Sequence, residues 1–258
     1  MPTSCGQHRP RAGLFVTCLV DLFRPSVGLA AARLLEAAGC GVEIPRAQTC
    51  CGQSALASND RAEARAAAES TIETFEGFDY IVAPSASCAS MLRHRYPTLF
   101  AGDAAWEARA KTFAAKVHEL VSFLTDVLGI EKIAAGLDAS ATYHDSCAGL
   151  HAFGIRRQPR ALLESVEGLD LIEMRDAGSC CGFGGSFCTP YAKASKVFAE
   201  RKVGEIGATG AEILLAGELG CLMHMAGRLK RNGSTVEVRH IAEVLAGMTD
   251  APSIGGND

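Results

Sequence analysis

Apolar positions along this chain alternate between two periods. Short runs of β-branched or aromatic residues are each followed by stretches in which small apolar residues recur at helical spacing. Leu14-Phe15-Val16-Thr17-Cys18 reads as a first strand; Val27, Ala30, Ala31, Leu34 and Ala38 then form a helical stripe that Gly39 stops. A second strand at 42–44, a long helical stretch over 61–74 and a third strand at 80–83 complete the series. The succession then returns: a run at 141–147, a helical segment around 160–164 closed by Gly168, a strand at 169–174, a helix over 191–206 and a strand at 212–215. Both series finish alike, with Val117-His118-Glu119-Leu120 and Val238-Arg239-His240-Ile241 each opening a last helix. Strands alternating with helices imply parallel βαβ units. The expected fold class is therefore α/β, two duplicated βαβ-rich halves with parallel sheets. The halves span 13–128 and 141–248 and join near 129–140, with flexible tails at 1–12 and 249–258.

Cysteines mark the same repeat. Cys18, Cys50, Cys51 and Cys88 form one set, with gaps of 31 and 36 residues around the adjacent pair; Cys147, Cys180, Cys181 and Cys221 form the other, with gaps of 32 and 39. In each set the pair is followed by glycine, Gly52 or Gly182. Every member follows the C-terminal end of an expected strand, the edge at which open α/β sheets bind their ligands. Two cysteine sites at the C-terminal strand edges, related by a pseudo-twofold axis, follow from this placement.

Composition narrows the chemistry. With 48% hydrophobic residues in 258, the chain can bury a sizeable core. Its 25 basic and 29 acidic residues, without a long basic run, argue against nucleic acid as a partner. The longest apolar stretches fall well short of the roughly 18 residues that would cross a bilayer, and the first residues lack the apolar segment of a signal peptide. A soluble, cytoplasmic protein is expected. In that compartment, in a large chain with an odd number of cysteines, a disulfide scaffold is disfavoured, and adjacent cysteines bridge each other only under strain. Thiolate chemistry remains: metal or cluster ligation, or thiol redox exchange. Four thiolates suit one [2Fe-2S] or [4Fe-4S] cluster and equally suit tetrahedral zinc.

The motifs Thr17-Cys18-Leu19-Val20-Asp21-Leu22-Phe23, Gln48-Thr49-Cys50-Cys51-Gly52-Gln53 and Val82-Ala83-Pro84-Ser85-Ala86-Ser87-Cys88 carry a family resemblance. So do Tyr143-His144-Asp145-Ser146-Cys147, Cys180-Cys181-Gly182-Phe183-Gly184-Gly185-Ser186-Phe187 and Cys221-Leu222-Met223-His224. Together they resemble the cysteine-rich CCG domain, found twice in the CCG-bearing component of heterodisulfide reductase and in the iron–sulfur component of glycolate oxidase, and most of all its lactate-utilisation branch. The resemblance implies an iron–sulfur electron-transfer subunit, carrying a [4Fe-4S] cluster, in a complex that oxidises L-lactate to pyruvate. The other lactate-utilisation subunits would be its partners, and the eight cysteines its cofactor ligands.

In the heterodisulfide reductase branch each full motif ends in Cys-x-x-Cys and supplies five thiolates. Here that last position is Met91 in the first half and His224 in the second, which makes His224 a candidate fifth metal ligand and lets the two halves hold different centres. Two other readings stay open: a thiol–disulfide redox subunit resembling heterodisulfide reductase, and a zinc-stabilised scaffold of the same complex.

Several residues read as ordinary structure. Cys5 and Cys40 are expected as small hydrophobes, and Cys188 as a non-ligand. His118 and His240 are expected to pack or to start helices. His144 and Asp145 fit equally a proton or hydrogen-bond donor beside a cluster and a strand end with a turn cap. The glycines of 182–185 match no phosphate loop and would let backbone N–H groups approach a cluster. Arg228, Lys230 and Arg231 form a small basic patch at a helix end.

Overall fold

The computed structural model describes residues 9–256; Cys5 and the outermost ends of both expected tails lie outside them. Eight strands form two parallel sheets of four. β1 (Arg11–Leu14), β2 (Gly41–Glu43), β3 (Tyr80–Ala83) and β4 (Val117–Glu119) stand in the order β2-β1-β3-β4. β5 (Gly136–Tyr143), β6 (Glu167–Leu171), β7 (Ile213–Ala216) and β8 (Glu237–His240) stand in the order β6-β5-β7-β8. The order is the same in both sheets and every pairing is parallel. The expected α/β duplication is therefore the observed fold.

Local differences from the sequence reading have physical causes. β1 ends at Leu14 rather than Cys18, because Thr17 accepts the Val20 N–H and caps the helix Cys18–Phe23. Cys18 thus begins a helix instead of closing a strand. Each half also has a fourth strand, β4 or β8, where the sequence suggested only a helix start. These strands are short and hold one apolar residue each, Val117 or Val238, among polar ones, so alternation is hard to read. β5 begins at Gly136, inside the stretch read as the joint, and β1 begins at Arg11, inside the stretch read as a tail.

The halves share one core. Residues of the helix Pro25–Ala37, of β5, β7 and β8 and of the helix Ile241–Leu245 belong to a single hydrophobic cluster, while a second cluster lies wholly around the first sheet's other face. Arg24 reaches across to Glu243, with Nε to Oε1 at 2.7 Å, in a setting where the carboxylate is fully buried. Glu243 also accepts from Ser26 Oγ at 2.6 Å and from the His240 N–H at 3.2 Å. Ser85 and Glu218 correspond in the two repeats, each three residues before the last cysteine of its set. They touch: Ser85 Oγ donates to Glu218 at 2.9 Å and the Ser87 N–H donates to it at 3.0 Å. Corresponding positions of the two repeats are thus in direct contact.

Candidate thiolate metal centres

In the first half, β1 delivers Cys18 at the start of its capped helix, and β3 delivers Cys88 in the helix Ala86–Ser90, whose cap Ser85 accepts the Cys88 N–H. The pair Cys50-Cys51 arrives on the loop after β2. Because β1 and β3 flank the point where the strand order reverses, these loops meet at the position where such sheets bind ligands. Cys18 Sγ lies 3.8 Å from Cys50 Sγ, and Cys51 Sγ lies 3.5 Å from Cys88 Sγ. The Cys18 thiol hydrogen bond pulls Cys50 far below the ordinary thiol value, to about 2, while the same bond raises Cys18. Cys51 and Cys88 are buried, and Cys18 and Cys50 border an open cleft of about 560 Å³ whose rim includes Leu22, Leu29, Ile44 and Arg46.

The second half repeats the plan with different surroundings. Cys181 and Cys221 are buried with Sγ atoms 2.8 Å apart, and Cys147 and Cys180 are exposed. The Gly182 N–H donates to Cys180 Sγ at 3.3 Å. Gly182 itself is left-handed at φ +87°, and a Cβ there would stand 2.5 Å from the Ser195 carbonyl oxygen. The glycine of the triplet therefore makes room for the helix Ala192–Thr209 as well as supplying an N–H to sulfur.

These donors suit a metal. Two thiolates on one tetrahedral ion with metal–sulfur bonds of about 2.3 Å stand about 3.8 Å apart, close to the two separations in the first half. The second pair stands closer and would part on binding. In both halves the sulfurs have few competing partners, so a thiolate-bound centre, whether single metal or iron–sulfur cluster, matches the donor chemistry.

A profile of the cysteine-rich domain family called CCG matches residues 12–93 and 141–226, the two cysteine neighbourhoods just described. The chain belongs to the CCG family. Curated relatives named "Lactate utilization protein A" include one from Geobacillus sp. (strain WCH70), 45% identical over 91% of this chain and 98% of its own length. Another, from Shouchella clausii, is 48% identical over 90% of this chain and 97% of its own, and one from Bacillus subtilis is 45% identical over 91% and 98%. Among solved structures, a hypothetical protein from Helicobacter pylori superposes with a TM-score of 0.62 at 11% identity. The match covers 95% of this chain but spans only about half, 50%, of that one, and it shows the fold alone.

Within this CCG frame the remaining candidates find definite places. Met91 is buried in the same cluster as Cys51 and Cys88. His224 Nε2 lies 3.2 Å from Ser195 Oγ, which donates to the Gly182 carbonyl at 2.8 Å, so this histidine is tied to the second CCG loop. Cys40 is buried in the main core. Among the described residues Cys188 Sγ approaches the Gly185 carbonyl, at 3.9 Å. His240 caps the helix Ile241–Leu245 in a reciprocal box with Glu243, and His118 packs on Tyr80 and Phe123. Asp145 pairs with Arg160 at 2.9 Å.

Two residues near the second pair matter more than the sequence indicated. His144 lies with Cys181 and Cys221 in a buried group whose ligand atoms are all within 4.8 Å of one another. Burial holds its imidazole neutral, with a pKa of about 3. Lys202 is fully buried, and its ammonium donates to the carbonyls of Asp176 at 2.7 Å and Ala177 at 3.1 Å. Burial lowers its pKa, opposed by the charge of Asp176. The signal for Lys202 lay in the repeat: Ala64, Ala68, Thr71, Ile72 and Phe75 are the buried stripe of one helix, and Ser195, Ala199, Lys202, Val203 and Ile206 that of the other at identical spacing.

Proposed function

We propose that this chain is an iron–sulfur electron-transfer subunit of a cytoplasmic complex that oxidises L-lactate to pyruvate, with Cys18, Cys50, Cys51 and Cys88 holding one centre and Cys147, Cys180, Cys181 and Cys221 the other. The observation that carries the reading is the close approach of cysteine sulfurs at the C-terminal edges of two like sheets, Cys18 to Cys50 and Cys51 to Cys88 in one and Cys181 to Cys221 in the other. Relatives named for lactate utilisation supply the substrate class. Oxidation of one lactate to pyruvate releases two electrons and two protons; a bound cluster would take up electrons singly.

The chain's own residues then have plain tasks. The buried thiols, Cys51, Cys88, Cys181 and Cys221, shield each centre from water, and the more open Cys18, Cys50, Cys147 and Cys180 face the surface at which a partner subunit hands over or collects electrons. The partner binds lactate or the final acceptor. A zinc-stabilised scaffold is the second reading, favoured by the near-tetrahedral sulfur spacing in the first half.

Anaerobic purification, with iron, sulfide and zinc quantified and electron paramagnetic resonance recorded before and after reduction, separates the two. The relay predicts about four irons and four sulfides per occupied site and a signal that changes with reduction. Cys51→Ser and Cys181→Ser then assign signals to halves. Zinc alone, without labile sulfide, would sink the relay and leave the scaffold.

A further inference from the structure

The two centres do not have the same donors within reach. At the position three residues before the first cysteine of each set stand Phe15 and His144. Phe15 is fully buried and packs its ring on Phe75 at 5.7 Å, so the first half offers hydrocarbon there. His144 is buried to the same degree, yet neither ring nitrogen has a hydrogen-bond partner. The Ala177 carbonyl lies beside the ring but is already engaged by the Asp145 N–H and the Lys202 ammonium. Two unpaired nitrogens in one buried ring cost several kilocalories per mole unless something absent from the protein atoms satisfies them. Within 4.8 Å of one of them are the sulfurs of Cys181 and Cys221, themselves buried and close together.

We propose that His144 is a metal ligand of the second centre, joining Cys181 and Cys221, so that this half binds its metal through imidazole and thiolate while the first half uses thiolate alone. The inference rests on the reading that the second cysteine set holds a metal. A neutral imidazole is the ligand form of histidine, and it suits zinc and iron alike. With one nitrogen on the metal, the other is left to share the Ala177 carbonyl, the kind of outer contact that orients ligating histidines. A neutral imidazole adds a donor without adding negative charge. The Lys202 ammonium stands near Cys181 and offsets part of the negative charge there.

The test is K-edge X-ray absorption of the metal carried by the anaerobically purified full chain, as wild type, His144→Phe and His224→Asn. Imidazole bound to a metal adds outer-shell scattering that thiolates do not give. The proposal expects this scattering in the wild type, its retention in H224N and its loss in H144F, which installs the first half's own residue. Should H144F fail to fold, His144→Gln replaces it, keeping a polar side chain in the pocket. Imidazole scattering that survives the His144 variants, or none in the wild type, overturns the proposal. Iron and sulfide without imidazole scattering would leave the relay intact and end this inference; zinc with such scattering would do the reverse.

Discussion

Around Cys51 the interior is aromatic, with Phe15, Phe75 and Tyr96 fully buried; around Cys181 it is polar, with His144 and Lys202 in the corresponding space. One backbone plan serves both. Thr71 stands where the second half has Lys202, and its hydroxyl meets the Tyr96 hydroxyl, which donates to the Cys51 carbonyl at 3.1 Å. In the second half the ammonium itself holds the loop carbonyls. Duplication thus copied the strands and cysteines and left the packing beneath them free to diverge, and that packing sets the local charge.

The sharpest way to break the comparison is at the glycines after the cysteine pairs. Both are left-handed, at φ +79° for Gly52 and +87° for Gly182. A Cβ on Gly52 would meet the Ala67 methyl at 3.2 Å, whereas one on Gly182 would meet the Ser195 carbonyl oxygen at 2.5 Å. Gly52→Ala should cost about 1–2 kcal/mol, the left-handed penalty alone. Gly182→Ala must also move helix backbone and should cost about 4 kcal/mol or more. Urea unfolding of the two variants reads the difference, and equal losses would show that the second loop is not the tighter one.

Lys202→Met and Thr71→Val come next. The first removes a buried ammonium that ties the carbonyls of Asp176 and Ala177 together, each of which keeps another donor, for an expected loss of about 2–3 kcal/mol. The second leaves Tyr96 its bond to the Cys51 carbonyl and should cost about 1 kcal/mol. A redox titration sharpens the contrast: K202M should lower the potential of the second centre, and T71V should leave the first unchanged. If K202M shifts neither potential, the ammonium is structural only.

Much of this was legible in the sequence, because the strongest signals were repeated. The cysteine frames and the alternation of strand and helix specified the duplication, the parallel sheets and the edges at which the cysteines gather. What escaped was set by tertiary contacts. A lysine on a helix reads as solvated, and only the shared buried spacing of Ser195, Ala199, Lys202, Val203 and Ile206 shows otherwise. His144 and Asp145 were ambiguous as neighbours; the structure parts them, sending His144 toward sulfur and Asp145 to Arg160. β4 and β8 were missed because their pairing with β3 and β7, rather than their own composition, makes them strands.

The last contrast lies at the caps of the final helices, where Glu119 and His240 occupy equivalent positions. Both are buried, and burial disfavours the charged form of each. It raises Glu119 from 4.5 to about 7, and the nearby Glu218 charge adds to this. It lowers His240 from 6.5 to about 4, although the Glu243 charge resists. The signs are therefore opposite. The Glu119 contribution is fully present below about pH 4.5 and is lost as pH rises through 7; the His240 contribution is present above about 6.5 and is lost as pH falls through 4. Each amounts to about 3 kcal/mol over its window. Thermal unfolding across pH 4–8 should show Glu119→Gln flattening the alkaline side and His240→Asn the acid side. Neither variant abolishes its slope, since Glu218 is also raised by burial and His144 is lowered by it. If both variants act on the same side, the two caps do not impose the opposite pH dependences that divide the halves.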